Sequence, residues 1–289
     1  MNQDAFDHVA AIIGTGFSGM GAAIALDRAG ISNFILLEKS DDIGGTWRDN
    51  QYPGACCDVP SHLYSFSFEL NPDWSHRFSP AKEIHAYQQH VMDKYRLRDR
   101  TRGGFEVESA TFSNGGWTVI SRRGEQLRVR YLISAIGALH IPNKPDFPGL
   151  DRFAGKVMHS AEWDKSCELA DKNIIVVGSA ASAIQIIPQL AKTARQVSVI
   201  QRTANYFVPR KDRIYSKFEK TWFRRLPFVQ RLVRWRQYCF NDFLFHANFM
   251  NRPSLAKKYV HYMVHKHMKK LVQDAELISK LTPDYQIGC

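Results

Sequence analysis

The sequence has no run of 18 or more apolar residues, so nothing in it is long enough to cross a bilayer as a helix. Its 5 cysteines are odd in number, two of them are adjacent (Cys56, Cys57), and no CxxC pair occurs. That argues against a disulfide framework and against a zinc site, so no metal is expected and a reducing cytoplasm is. A secretory leader is not expected either. The opening MNQDAFDHVAAIIG carries acids where a leader carries bases, and its apolar run leads into glycines. Low-complexity segments are missing. What remains is an ordinary globular composition, 44% hydrophobic over 289 residues, enough for two modest domains.

Acidic residues are scarce in one region only. From Gln201 to Cys289 there are 18 Lys and Arg against 6 Asp and Glu, while the rest of the chain is nearly balanced at 21 against 22. The basic character therefore belongs to the last third. A solvated helical surface accounts for it. Contact with an anionic membrane, cofactor or nucleic acid is the alternative, and no nucleic-acid motif accompanies the charge. The solvated surface is the first reading; peripheral membrane contact through the basic tail is the alternative kept beside it, and neither a transmembrane segment nor nucleic acid is expected.

The segment HVAAIIGTGFSGMGAAIALDRAGISNFILLEKS reads as strand, glycine turn, helix and strand. Gly14 allows the tight turn, Gly16 lets the backbone approach a pyrophosphate, and Gly19 lets helix and strand pack closely. Glu38 ends the second strand, 24 residues after Gly14, where a carboxylate accepts hydrogen bonds from ribose hydroxyls. The segment DKNIIVVGSAASAIQIIPQLAKTARQVSVIQRT repeats the layout from Gly178. Its turn offers Ser179, Ala181, Ser182, Ala183 and Gln185 as cofactor contacts. Ala180 is a departure, with a methyl group where the pyrophosphate should approach. Arg202 takes the place of the acid, again 24 residues on, and Thr203 adds a hydroxyl. A cation there pairs a 2′-phosphate. The acid suits the ribose of FAD and the arginine suits NADPH, which implies hydride transfer from nicotinamide to flavin. The alternative is that the second unit is kept only for packing.

GGTW (Gly44–Trp47), YPGA (Tyr52–Ala55), Cys57-Asp58 and LYSFSF (Leu63–Phe68) resemble class B flavin-dependent monooxygenases. FAGKVMHSAEWD (Phe153–Asp164) narrows the likeness to the Baeyer–Villiger type, whose fingerprint FxGxxxHxxxW followed by Pro or Asp is matched at every fixed position. The sister group that oxygenates nitrogen and sulfur has Tyr or Phe where Trp163 stands. The resemblance implies an α/β protein with two Rossmann-like dinucleotide-binding domains. Residues 1–150 would bind FAD, 151–171 would be a linker carrying the fingerprint, and 172–289 would bind NADP, with a helical insertion over 214–281. It further implies that His159 and Asp58 take part in catalysis, and that Thr46, Trp47, Asp58, Tyr64 and Val107 contact cofactor. Without the resemblance, a His and a Trp four residues apart read as interface packing, and Asp58 reads as a turn residue.

In the family, the stretch LTPDYQIGC is followed by a Lys-Arg pair and by a C-terminal part that completes the FAD domain. The likeness is therefore expected to cover an N-terminal portion only, both domains to be incomplete, and ketone oxygenation to be weak. The substrates implied are a ketone and O2, and one oxygen atom would enter beside the carbonyl. The rivals are oxygenation of nitrogen or sulfur, and a non-catalytic nucleotide-binding remnant. FEVESATF, WTVISRR and LRVRYLISAIG read as three short strands, with turns at SNGG and RRGE, forming a small antiparallel crossover. Residues 214–281 read as helices punctuated by Pro227 and an Asn251-Arg252-Pro253 turn.

Overall fold

The computed structural model describes residues 6–207, 209–249 and 255–285. The expected turn at Asn251-Arg252-Pro253 and the terminal Cys289 lie outside the described residues. The chain divides into two compact units, Met1–Tyr52 with Ala81–Asp164, and Pro53–Pro80 with Lys165–Cys289.

The first unit is built on a six-stranded sheet in the order β3-β2-β1-β6-β5-β4. Strand β1 (His8–Ile13) pairs in parallel with β2 (Phe34–Leu37) and with β6 (Gln126–Ser134), and β2 pairs with the short β3 (Thr101–Arg102). Ala10, Ala11 and Ile12 are consecutive and all buried. An unbroken apolar run of this kind is what a parallel strand covered on both faces requires. Helix α1 (Phe17–Arg28) buries Gly19, Met20, Ala23 and Ile24, one helical stripe. Helix α3 (Ala81–Lys94) buries Ile84, Tyr87, Val91 and Met92 by the same spacing. The core of the sheet joins Ala11 and Leu37 to Phe105, Val119, Leu127 and Val129. Each large apolar side chain buried there is worth about 1.5–3 kcal/mol relative to exposure.

The three short strands are present as β4 (Val107–Ser113), β5 (Gly116–Ser121) and β6. They do not stand apart as a crossover sheet. β6 is nine residues long, and one edge pairs antiparallel with β5 while the other pairs with β1, His8 opposite Val129 and Ile13 opposite Ser134. Asn114 and Gly115 connect β4 to β5 with φ of 50° and 74°, the left-handed pair that a two-residue hairpin needs.

The second unit carries a two-stranded parallel sheet among its described residues, β7 (Asn173–Val177) with β8 (Gln196–Ile200), and helix α4 (Ala181–Leu190) between them. Helices α5 (Lys217–Arg225), α6 (Pro227–Phe249), α7 (Leu255–Leu271) and α8 (Ala275–Leu281) lie within the stretch read as helical. Ser216 and Glu219 form a reciprocal capping box at the start of α5. Pro227 opens α6, where its missing N–H costs nothing.

Segment 60–79 is held to these helices by buried polar groups. Gln230 donates to His62 Nδ1 (3.1 Å) and to the Asn71 carbonyl (2.6 Å). Arg234 donates to the carbonyls of His62, Leu63 and Ser65. His62 is fully buried between the rings of Tyr215 and Phe223. Burial pulls its pKa down to about 4, so the ring is neutral at pH 7.

Candidate dinucleotide sites

In the first unit the chain turns sharply at Gly14, which has φ +103°. A Cβ there would lie 2.5 Å from the Ala135 carbonyl oxygen, and one on Gly19 would lie 1.9 Å from the Gly14 oxygen. Both glycines are therefore sterically required. Gly16 differs, since a Cβ on it would meet nothing within 4 Å. The space over the middle glycine is open, as a cradle for a pyrophosphate demands. The turn Gly44-Gly45 closes on the same loop, because a Cβ on Gly45 would come within 3.4 Å of Gly16 Cα. It leads into the single turn α2 (Thr46–Asp49), on which Thr46 is exposed and Trp47 half-buried.

Glu38 lies buried beside this cradle. Its Oε2 accepts from the Thr15 amide (3.1 Å) and the Thr15 hydroxyl, and its Oε1 accepts from the Ser40 amide (3.2 Å) and Arg48 Nη1 (2.9 Å). Burial alone would raise the Glu38 carboxyl. The Thr15 hydroxyl, the Arg48 guanidinium and the Ser40 amide outweigh it and hold the carboxyl below its ordinary range. A carboxylate has about four acceptor positions, and the chain's own donors occupy four here. A ribose diol docking at Glu38 has to take over one of them. Arg48 also donates to the Asp42 carbonyl and, through Nε, to Asp49 (2.8 Å), which ties the GGTW turn to the end of β2. Sequence reasoning passed over Arg48 and Thr15. The available signal was the buried acid itself, which calls for a cation within reach. The amides of Gly104 and Phe105 donate to the Ser40 and Glu38 carbonyls, which brings Phe105, two residues before Val107, to the end of β2.

The fingerprint folds locally. The ring of Phe153 lies over Gly155, where a Cβ would be 2.5 Å from it, so the Phe-x-Gly spacing is a packing requirement. His159 Nδ1 accepts from the Ala161 amide (3.1 Å) and caps the single 3-10 turn Ser160–Glu162, which ends at Trp163. With Nδ1 accepting, the neutral ring carries its proton on Nε2. Lys144 pairs with Glu162, and Lys156 pairs with Asp164 at 2.9 Å.

In the second unit Gly178 has φ +104°, and a Cβ on it would meet nothing within 4 Å. Backbone conformation, not crowding, calls for glycine there. Ala181, Ser182 and Ala183 open α4, whose N-terminal amides face the turn's end of β7. Ser179 is buried and its Oγ accepts from Asn205 (2.8 Å). Gln185 makes a two-point clasp on one residue: Oε1 accepts from the Cys56 amide (3.1 Å) and Nε2 donates to the Cys56 carbonyl (3.0 Å). Gly54 packs on the same helix, 2.6 Å from a hypothetical Cβ to the Gln185 oxygen. The loop from Pro53 onward thus belongs to this unit, with Asp58 exposed and Tyr64 half-buried. Arg210 donates to Cys56 Sγ, whereas burial pushes the Cys57 thiol up to about 12. Arg202 and Thr203 follow β8 and are exposed. Among the described residues no cluster of three or more His, Cys, Asp or Glu forms a metal site, and no helix is long and apolar enough to cross a membrane.

A doubly used strand–glycine turn–helix–strand unit, ended once by an acid and once by a base, defines a two-dinucleotide oxidoreductase fold. The family described as pyridine nucleotide-disulphide oxidoreductase matches residues 11–217, and the chain belongs to it. The chain is 41% identical to a Baeyer–Villiger monooxygenase of Streptomyces coelicolor, over 100% of this chain and 56% of that protein. It is 40% identical to a Baeyer–Villiger monooxygenase of Pseudomonas aeruginosa, over 96% of this chain and 53% of that one. Among solved structures it is similar to an oxidised steroid monooxygenase bound to NADP (29% identity, TM-score 0.84, 97% of this chain and 61% of that chain). It is also similar to a cyclohexanone monooxygenase from Rhodococcus sp. Phi1 bound to NADP+ (27%, TM-score 0.83, 98% and 60%).

These alignments correct one expectation. The likeness is not one of an N-terminal portion only; it runs over 96–100% of this chain. That expectation rested on a Lys-Arg pair and a C-terminal part that the resemblance places beyond Cys289, and neither bears on the likeness along the residues present. The chain spans about half the length of the curated relatives it matches.

Proposed function

We propose that the chain acts as an FAD- and NADPH-dependent monooxygenase of the Baeyer–Villiger type, inserting one oxygen atom of O2 beside a ketone carbonyl. The observation that carries this is the pair of glycine cradles with opposite terminal charges, Glu38 held by Arg48 in one and an exposed Arg202 in the other. The similarity to the Baeyer–Villiger monooxygenases of Streptomyces coelicolor and Pseudomonas aeruginosa supports it. When bound, FAD supplies oxygen activation and NADPH supplies the hydride. Gly14, Gly16, Gly19 and the Gly45-Thr46-Trp47 turn would hold the FAD pyrophosphate, with Glu38 and the stretch before Val107 around its adenosine. Gly178, Ser179 and the amides of Ala181, Ser182 and Ala183 would hold the NADPH phosphates, and Arg202 with Thr203 its 2′-phosphate. Asp58 and Tyr64 would contact cofactor from the segment 53–80 of the second unit, with Asp58 taking part in catalysis, and Gln185 would do so from α4. His159 would present Nε2–H as a donor from the stretch that follows the first unit's exit loop. Domain bounds of 1–150, 151–171 and 172–289 complete this reading.

The test is turnover of FAD-loaded protein with NADPH, labelled O2 and a panel of ketones, sulfides and amines. An ester or lactone carrying one labelled oxygen is the expected product. N-oxides or sulfoxides alone would replace the reading by heteroatom oxygenation. The finer reading of the basic last third is peripheral contact with an anionic lipid surface.

A further inference from the structure

Helix α6 is amphipathic the wrong way round for a helix of a water-soluble domain. Residues at intervals of three and four share one side of a helix. Phe228, Leu232, Trp235 and Phe243 follow that spacing, and they are 63%, 60%, 63% and 67% exposed. The opposite side carries Gln230, Arg234, Gln237 and Asn241 beside the half-buried Val229 and Val233. There Gln230 and Gln237 are buried, and Gln230 and Arg234 grip segment 62–71. Polar groups face in, Gln230 and Arg234 with partners on segment 62–71, and an aromatic stripe faces out. Scattered exposed apolar residues need no explanation, but an aligned stripe does.

The charges around the stripe select what it meets. Between Lys217 and Phe249 there are seven Lys and Arg against two acids, and Asp242 is the one acid on α6. Arg231 and Arg236, both exposed, flank the stripe. A second copy of this chain laid on the same face would bring these arginines together. Aromatic and leucine side chains on one side with an arginine rim are the make-up of a helix lying in a lipid interface. We propose that the outer face of α6 docks this chain on an anionic bilayer, Phe228, Leu232, Trp235 and Phe243 entering the headgroup boundary and Arg231 and Arg236 meeting lipid phosphates. The inference rests on the peripheral-membrane reading of the basic tail and assigns it to one face.

The experiment is co-sedimentation of the 289-residue protein with vesicles of phosphatidylglycerol and phosphatidylcholine, compared with phosphatidylcholine alone, for the wild type and for F228S/W235S. The two replaced side chains are exposed, and circular dichroism checks that the fold is kept. Binding to the anionic vesicles that falls at least tenfold in F228S/W235S, and falls with salt, is the expected result. Anionic binding that is unchanged in F228S/W235S keeps a basic-tail contact and overturns the role of α6. No binding to anionic vesicles overturns both. A dimer in light scattering that the double substitution abolishes would assign the stripe to a second copy and overturn the lipid proposal.

Discussion

The two glycine-turn units share a pattern and differ in what enforces it. In the first, the turn lies in a six-stranded sheet with buried neighbours, and Gly14 and Gly19 are fixed by backbone atoms 2.5 and 1.9 Å from where a Cβ would be. In the second, the sheet has two described strands, Ile175, Val177 and Ile200 are more than half exposed, and Gly178 has open space over it. The terminal charges differ likewise. Glu38 is buried and bonded on four sides, and Arg202 is exposed. One motif can thus be preorganised by its own fold or left to be organised by its ligand.

The largest effect that could break this comparison comes from the same substitution made twice. Gly14→Ala places a methyl group against the Ala135 carbonyl and also demands a left-handed φ. We expect loss of folded first unit or a cost of several kcal/mol, as overpacking and strain combine at about 1–3 kcal/mol each. Gly178→Ala meets the conformational cost alone, about 1–2 kcal/mol. Urea unfolding of the two variants measures both, and equal costs would erase the distinction. Next in size is Arg48→Met, which strands a buried carboxylate. Breaking such a pair costs about 3–5 kcal/mol. The double variant R48M/E38Q should recover most of it, because the stranded charge is then gone. Recovery in unfolding midpoint and in FAD affinity is the check.

These expectations also mark what the sequence could reveal. Gly14, Gly19 and Glu38 were legible because turn, helix start and strand end sit within 25 residues of one another, where period and spacing act locally. The hairpin at Asn114-Gly115 was legible for the same reason. Arg48 was not, since nothing in GGTWRDN says that its side chain turns back ten residues to Glu38. The joining of β6 to β1, 121 residues apart at His8 and Val129, is a choice of sheet partner that alternation cannot encode. Gln185 fitted the pattern of a cofactor contact, and only the fold shows that its amide is engaged by Cys56, 129 positions away.

Acid should separate the units in a defined order. His62 in the second unit has its pKa lowered by burial to about 4, against 6.5 for a free ring. The unfolded chain then binds the proton more readily, so the contribution is complete above pH 6.5 and is lost as pH falls from 6.5 toward 4. The full loss is at most about 3 kcal/mol. Arg213, Glu219 and Arg234 are the charged groups acting on this ring. Glu38 in the first unit also has a lowered pKa, but its contribution is intact above 4.5 and declines only below that. Hydrogen exchange at pH 7 and pH 5 should therefore show the helices around His62 loosening first. His62→Phe should remove the difference, and a first unit that loosens before the second would contradict the assignment.

The smallest effect tests how the second unit compensates for its narrow sheet. Gln185 holds the amide and the carbonyl of Cys56 at once, which fastens the loop 53–58 to the helix that follows Gly178. Gln185→Leu leaves both backbone groups without their partner. Water can reach this half-buried loop, so the cost should lie near the lower end of the roughly 1–3 kcal/mol for unsatisfied groups. Gln185→Glu keeps the acceptor for the Cys56 amide and turns the donor into a second acceptor facing a carbonyl, so it should cost nearly as much. The discriminating readout is local. Amide exchange at Cys56 and Cys57 should rise in both variants while exchange in β1 and β2 of the first unit stays fixed. An increase spread over both units would mean that Gln185 supports the whole chain, and the contrast between a self-organised cradle and a fastened one would no longer hold.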